Sequence, residues 1–275
     1  MEYIYFIVTK EVKFIVNLKI FNVIGKIKWV LVGVCFWILK KLLRYRLQGE
    51  SAKWLQPIQQ NNVSIFNRED FILNYCKGKR VLHIGFSDYP YTKEKVQKNE
   101  LIHTKIKQEG SYVFGIDNDI NSIAEYSKAT GDYDVGYTNI LEEYAKEIVD
   151  KNFDVIVLSE VLEHLSNPYK AVKILHNAFK QDAKIVVTVP NYTSLDSFAA
   201  SLNNTESIHQ HHYWYFSPFT IQKLFNKEQF KCEQIQFGMY YNSGVKINQV
   251  LKNNAFTGDC IMAIFTIKSQ STNEE

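Results

Sequence analysis

The sequence predicts an α/β protein: a doubly wound, seven-stranded sheet with an antiparallel last strand, preceded by an N-terminal helical extension. Three observations predict it. From residue 67 to 225, short runs able to form buried strands alternate with helical patterns, which calls for a mostly parallel sheet covered on both faces. The last two strand-like runs, near 229–238 and 259–267, are joined by a loop (242–258) with no clear helical pattern, which suggests an antiparallel pair. Residues 1–48 carry apolar positions at helical spacing and contain no proline.

In order, residues 51–65 read as a linker and 66–275 as the α/β domain. A helix near 67–77 precedes a first strand, Arg80–Ile84, and a helix near 97–109 leads to a second, Tyr112–Asp117. A helix over 119–129 leads to a third strand at 133–137. The run "FDVIVLS", 153–159, is a fourth, apolar enough to be buried on both faces. In "SNPYKAVKILHNAF", Ser166 or Asn167 can cap a helix whose first position is Pro168, where a missing N–H costs nothing. "KIVVTVP", Lys184–Pro190, is the fifth strand. A long polar loop then leads to a helix starting at Ser217.

Charge and cysteine usage limit the function classes. Of the chain's net +3, residues 1–48 hold +7, from nine Lys/Arg and two Glu, so the remainder carries −4. No basic stripe is left on the globular part for a nucleic-acid backbone. Four scattered cysteines without a CxxC pair fit a reducing compartment, and oppose a disulfide framework or a structural zinc site. Within residues 1–50 the apolar run at 29–39, "WVLVGVCFWIL", is well short of the roughly 20 residues a spanning helix needs. Two readings of this segment stay open: a basic, aromatic-rich helix lying in a membrane interface, which would put the protein on the cytoplasmic face, or a surface that packs on a neighbouring subunit. Oligomeric state is not legible.

In such a sheet, ligands bind beyond the carboxyl ends of the strands, so the residues after each strand are the candidates. These are Gly85 with Phe86, Ser87 and Asp88; Asp117 with Asn118; Asn139 and Ile140; and Ser159 with Glu160, Glu163 and His164. Gly85 leaves its backbone open to a ligand. Asp117 is placed to accept from a ribose diol, while Asn139 and the Ile140 amide suit an adenine edge. Glu160 and Glu163, three apart, are expected on one helical face with His164 beside them. A histidine that titrates near neutrality suits base work on a hydroxyl. His83, inside the first strand, reads as a packed core histidine.

Taken together, "VLHIGFSDYP", "VFGIDND", "FDVIVLSEVLEHLSNP" and "HHYWYFSPFTIQKLFNKEQF" resemble the class I S-adenosylmethionine-dependent methyltransferases, over about residues 80–265. The resemblance implies a Rossmann-like domain with S-adenosylmethionine as cofactor, its methionine part above Gly85 and its ammonium near Asp88. The glycine pattern departs from the family: only its first glycine is kept. A narrower resemblance, to bacterial methyltransferases of cell-surface polysaccharide synthesis, implies a glycan or lipid-linked hydroxyl as acceptor. A quinone-like acceptor and a catalytically weak assembly partner at the membrane are the alternatives. The Glu160–Glu163–His164 trio is also similar to a metal-binding Glu-x-x-Glu-His of small-RNA 2′-O-methyltransferases, with His212 at a matching place. It is read here as an acceptor-side set working without metal.

Overall fold

The computed structural model describes residues 65–239 and 258–269, and seven isolated positions before them (34, 35, 37, 38, 41, 55 and 56). The chain divides into two compact units, Met1–Pro57 and Ile58–Glu275. In the first, the described residues around Trp37 are helical and exposed, and the Lys41 ammonium lies 5.2 Å from the centre of the Trp37 ring. Most of the predicted extension and linker, and the 242–257 loop, lie outside the described residues. Among the described residues no helix is long and apolar enough to cross a membrane.

The second unit is built on one sheet in the order β1-β7-β8-β6-β5-β2-β3-β4. Its seven expected strands are β2 (Arg80–Ile84), β3 (Tyr112–Asp117), β4 (Val135–Tyr137), β5 (Val155–Ser159), β6 (Lys184–Pro190), β7 (Phe230–Met239) and β8 (Cys260–Ile267). An eighth, β1 (Ile65–Asn67), adds a short parallel edge to β7 where the sequence suggested the end of a linker. β8 runs antiparallel to both β6 and β7, as expected of the last strand. β2 through β6 are all parallel.

Helices close the faces. α1 (Arg68–Cys76) starts at Asn67, whose side chain accepts from the Glu69 and Asp70 N–H groups. The helix expected over 97–109 is two: α2 (Thr92–Gln97) and α3 (Ile102–Glu109). α4 (Ile120–Thr130) is capped by Asp119 and ended by left-handed Gly131. α5 is a single turn, Lys146–Val149. Asn167, not Ser166, caps α6 (Pro168–Ala178), with Pro168 in its first turn. α7 (Leu195–Leu202) and α8 (Pro218–Leu224) follow, the latter held by a capping box between Ser217 and Thr220.

The core has two layers. Alternate residues of β2 point to opposite faces. Leu82 and Ile84 join the larger core with Val172, Leu175, Ile221 and Phe265, whereas Val81 packs with Ile72, Ile106 and Met262. All five residues of β5 are buried, as its uninterrupted apolar run requires of a central parallel strand.

Candidate active site

Strand order reverses between β5 and β2, and the crevice beyond that point is where a doubly wound sheet binds its ligand. The register brings the predicted strand ends together. Ile84 pairs with both Leu158 and Ile116, Asp117 with Tyr137, and Ser159 with Thr188. Gly85, Asp117, Ser159 and Thr188 therefore stand in one row across the carboxyl edge of the sheet.

Gly85 adopts φ +71, a left-handed conformation suited to glycine, and its N–H donates to the Ile116 carbonyl at 2.8 Å. A Cβ at Gly85 would stand 2.6 Å from Cγ2 of Val161, so the glycine is demanded by the protein's own packing as well as by any ligand.

The next two residues correct the sequence reading, which takes Phe86 and Ser87 as backbone N–H donors to the cofactor. Both N–H groups turn to the protein itself, that of Phe86 to the Ile116 carbonyl at 3.4 Å. Phe86 does not face the crevice. It is fully buried in a nest of Leu101, Tyr126 and His103, with its ring 4.7 Å from that of His103. Room for it comes from Gly115 on β3, where a Cβ would lie 2.8 Å from the ring. Ser87 is also fully buried, and its N–H and hydroxyl both donate to Asp117 Oδ2, at 3.0 and 2.8 Å. Asp88, in a left-handed conformation, is ion-paired with Lys95, so its charge is already engaged.

Asp117 is half-buried and tightly held. Its Oδ1 accepts from the N–H groups of Asn118, at 2.8 Å, and Asp119, at 3.2 Å. Asn139 caps its own turn, accepting from the Leu141 N–H at 3.1 Å and donating to Glu142 at 2.9 Å. The Ile140 side chain belongs to the core.

Beyond β5 the expectation of a helical face fails. Glu160 sits at φ +57 and only a 3-10 turn, Leu162–His164, follows, so Glu160 and Glu163 meet across a tight turn. A chain of hydrogen bonds leads to Glu160. Arg68 Nη1 donates to Ser159 Oγ (2.8 Å), which lies 3.0 Å from Thr188 Oγ1, and Thr188 donates to Glu160 Oε1 (2.7 Å). Glu163 is wholly buried, and among the described residues neither of its oxygens meets a hydrogen-bond partner of good geometry. Burial, and then the charge of Glu160, hold its carboxyl well above the usual carboxylate range, so it stays protonated and its own O–H is the donor available to Glu160.

His164 lies at the rim, where its Nδ1 stands 3.2 Å from the His211 carbonyl; donation to that oxygen leaves Nε2 as the free base. The histidine loop is pinned there by Tyr213 N–H to the Glu163 carbonyl and Trp214 Nε1–H to the Leu165 carbonyl. His212 packs edge-on to His164, with ring centres 4.5 Å apart, and His209 lies within 6.3 Å. Burial holds His164 below the ordinary histidine value; burial and the neighbouring imidazoles take His212 down to about 4. Glu163, His164 and His212 offer one donor atom each, all within 4.8 Å of one another. Arg68, Thr188, His209 and His211 were missed from sequence. Arg68 and His209 lie far along the chain from β5 and outside the quoted motifs, whereas Thr188 and His211 sit inside quoted runs whose partners only the fold brings together.

The methyltransferase domain family matches residues 73–235, more than half of the chain, and spans the whole row of strand ends. The solved structure of a S-adenosylmethionine-dependent methyltransferase from Archaeoglobus fulgidus aligns over 73% of this chain and 91% of that one, with a TM-score of 0.50 and 19% identity. The putative methyltransferase solved in complex with the Haloferax volcanii Trm112 methyltransferase activator aligns over 74% and 90%, at a TM-score of 0.51 and 9% identity. At those identities the likeness is one of fold. A curated relative, the ubiquinone biosynthesis O-methyltransferase of Glaesserella parasuis serovar 5, is 25% identical over 178 residues, 60% of this chain and 70% of that protein. Fold and strand ends together define a class I S-adenosylmethionine-dependent methyltransferase. The chain belongs to the methyltransferase domain family.

Proposed function

We propose that the protein methylates a hydroxyl group of a cell-surface glycan or lipid-linked intermediate, with His164 as base, Glu160 orienting the acceptor, and the enclosed Glu163 acting on it through Glu160. The observation that carries this reading is geometric: His164, its Nδ1 facing the His211 carbonyl, stands beside Glu160 and the enclosed Glu163 at the carboxyl end of β5.

The residues fit the cofactor. Asp117 is half-buried and would accept from ribose hydroxyls, Gly85 presents bare backbone, and among the described residues no group accepts from the Ile140 N–H. Asn118 and Asn139 flank the adenosine side, and Ser159 closes the row below the methionine side. S-adenosylmethionine would supply an electrophilic methyl on its sulfonium, with neutral S-adenosylhomocysteine as the leaving group. The chain's own work is alignment and exclusion of water. His164 Nε2 receives the hydroxyl proton, and Glu160, held by Thr188, fixes the acceptor's orientation.

Two expected results follow. His164→Ala should lower turnover by about 10²–10⁴ and leave S-adenosylhomocysteine affinity within twofold; an equal fall in both would make its role structural. Because the His164 pKa is lowered, its base form persists into mildly acid solution. The acid limb of the rate profile should therefore lie below pH ~6.5, the ordinary histidine value. A limb above pH 7 would remove His164 as the base.

A lipid-soluble, quinone-like acceptor is the second reading, and the curated relative's name favours it. Transfer of tritiated methyl from S-adenosylmethionine separates the two. Label in a lipid-linked glycan fraction supports the first, and label on a prenylated catechol the second. No label in either, with no calorimetric binding of S-adenosylhomocysteine, would leave an assembly partner. A divalent cation between Glu163, His164 and His212 is favoured by their grouping alone. Manganese titration by calorimetry decides it: heat of binding lost in His212→Ala supports the ion, and no heat excludes it.

The extension of residues 1–48 is proposed as an anionic membrane anchor on the cytoplasmic face. Each Lys or Arg near such a surface contributes about 1 kcal/mol. The full chain should co-sediment with phosphatidylserine vesicles, salt-sensitively, and a chain starting at Ser51 should not. Equal partition of both would move the extension to subunit packing.

A further inference from the structure

The cofactor loop has kept one glycine where its family has two or three, and the packing of Phe86 and Ser87 shows what stands in for the others. Phe86 sinks through the loop into the nest left by Gly115, against His103, Tyr126 and Leu101. That anchor fixes the backbone of the following residue. Ser87 then has its carbonyl bound by the Thr92 hydroxyl at 2.7 Å, and spends both of its donors on a single oxygen of Asp117. The Asn118 and Asp119 N–H groups take the other oxygen. Four donors thus hold one carboxylate that is itself half-exposed, while Ser87 is completely enclosed and out of reach of any ligand.

We propose that Ser87 is a positioning residue: anchored by Phe86, it locks the Asp117 carboxylate in the orientation that receives the cofactor's ribose, adding a hydroxyl donor that a glycine lacks. This rests on the assignment of Asp117 to the ribose. A glycine loop makes room for the ligand, whereas this loop builds one rigid acceptor for it, so less of the ordering entropy is left to be lost on binding. Of the Ser87 donors, the hydroxyl is the one a side-chain substitution can delete.

The test is calorimetric titration of S-adenosylhomocysteine into the full-length protein, and no methyl acceptor is needed. Ser87→Ala is expected to weaken binding about tenfold, and Asp117→Asn by more. In the Asp117→Asn background, Ser87→Ala should weaken binding less than twofold further, because its effect passes through that carboxylate. Ser87→Thr, which keeps the hydroxyl, should restore most of the loss, with circular dichroism checking that each variant is folded. Should Ser87→Ala fail to fold, Ser87→Cys keeps the volume, loses most of the hydrogen bonding and carries the same comparison. Affinity unchanged or tighter in Ser87→Ala, with Asp117→Asn weakened, overturns the inference and spares the Asp117 assignment. Full additivity of the two substitutions also overturns it, since Ser87 would then act on the loop and not on Asp117. Unchanged affinity in Asp117→Asn removes the ribose assignment itself, and the inference with it.

Discussion

Gly85→Val is expected to destabilise the whole domain by about 2–5 kcal/mol, a large share of the stability of an ordinary domain. Two costs combine. A β-branched residue at φ +71 is strained by roughly 1–2 kcal/mol or more, and overpacking adds about 1–3 kcal/mol. The collision is specific: the new Cβ would stand 2.6 Å from Cγ2 of Val161, which is itself packed in the large core. Urea unfolding at pH 7 measures the effect. Gly85→Ala should show a smaller loss, part of which returns when Val161 is also cut to Ala, while the backbone strain remains. A Gly85→Val protein with the wild-type midpoint would refute the packing account. The result also alters how cofactor affinity should be read in such variants: weak binding there would report a disturbed fold before it reported a blocked ligand.

The same glycine illustrates what the sequence could and could not disclose. Strand β2 was legible because four consecutive buried residues follow a charged one and end at a glycine, and β3, β5 and β6 were legible for like reasons. Local pattern sufficed there, since a central parallel strand must be apolar on both faces. The roles of the residues beyond the strands were less legible. Phe86 and Ser87 read as loop residues open to a ligand because nothing in their neighbourhood announces Gly115 or Asp117, about thirty positions on. Glu160 and Glu163 carried helical spacing, but the turn at Glu160 is left-handed, and only the tertiary bonds from Thr188 reveal why a glutamate is kept there. The edge strand β1 escaped notice for a similar reason: three residues acquire strand character only by pairing with β7. His83 was rightly read as a core residue, yet its partner could not be named from sequence.

That partner makes the second large effect an acid sensitivity. His83 on β2 and His103 on α3 are fully buried, with their Nδ1 atoms 3.2 Å apart and rings stacked at 5.3 Å. One ring must donate to the other, and among the described residues neither Nε2 finds a partner, so the pair is held neutral. Burial, then the charge of Arg68, takes His83 down to about 3; burial, then His83 and Lys107, put His103 well below its ordinary value. The sign follows from linkage. Above pH ~6.5 the histidines are neutral whether the chain is folded or not, and their effect on stability is nil. Below it the unfolded chain takes up protons that the folded one refuses, so stability falls as pH falls, by up to about 1.4 kcal/mol per pH unit for each histidine. From His83 alone the loss at pH 4.5 is on the order of 2–3 kcal/mol. Glu163 acts in the opposite sense, because its raised pKa penalises the folded state as pH rises through that range. Asp132, Asp154 and Glu233, with lowered pKa values, add to the loss only below about pH 4. His164 and His212, also lowered, decline in the same window, so the pair is read as the difference between the protein and a His83→Leu, His103→Leu double variant from pH 4.5 to 6.5. Replacing both partners by apolar groups leaves no orphaned donor, so stability at pH 7.5 should change little. Urea unfolding across the window should show a steep decline toward acid in the parent and a clearly shallower one in the double variant, where His164 and His212 still contribute. Parallel profiles would mean that the buried pair is already protonated in the folded protein and that another group carries the acid response.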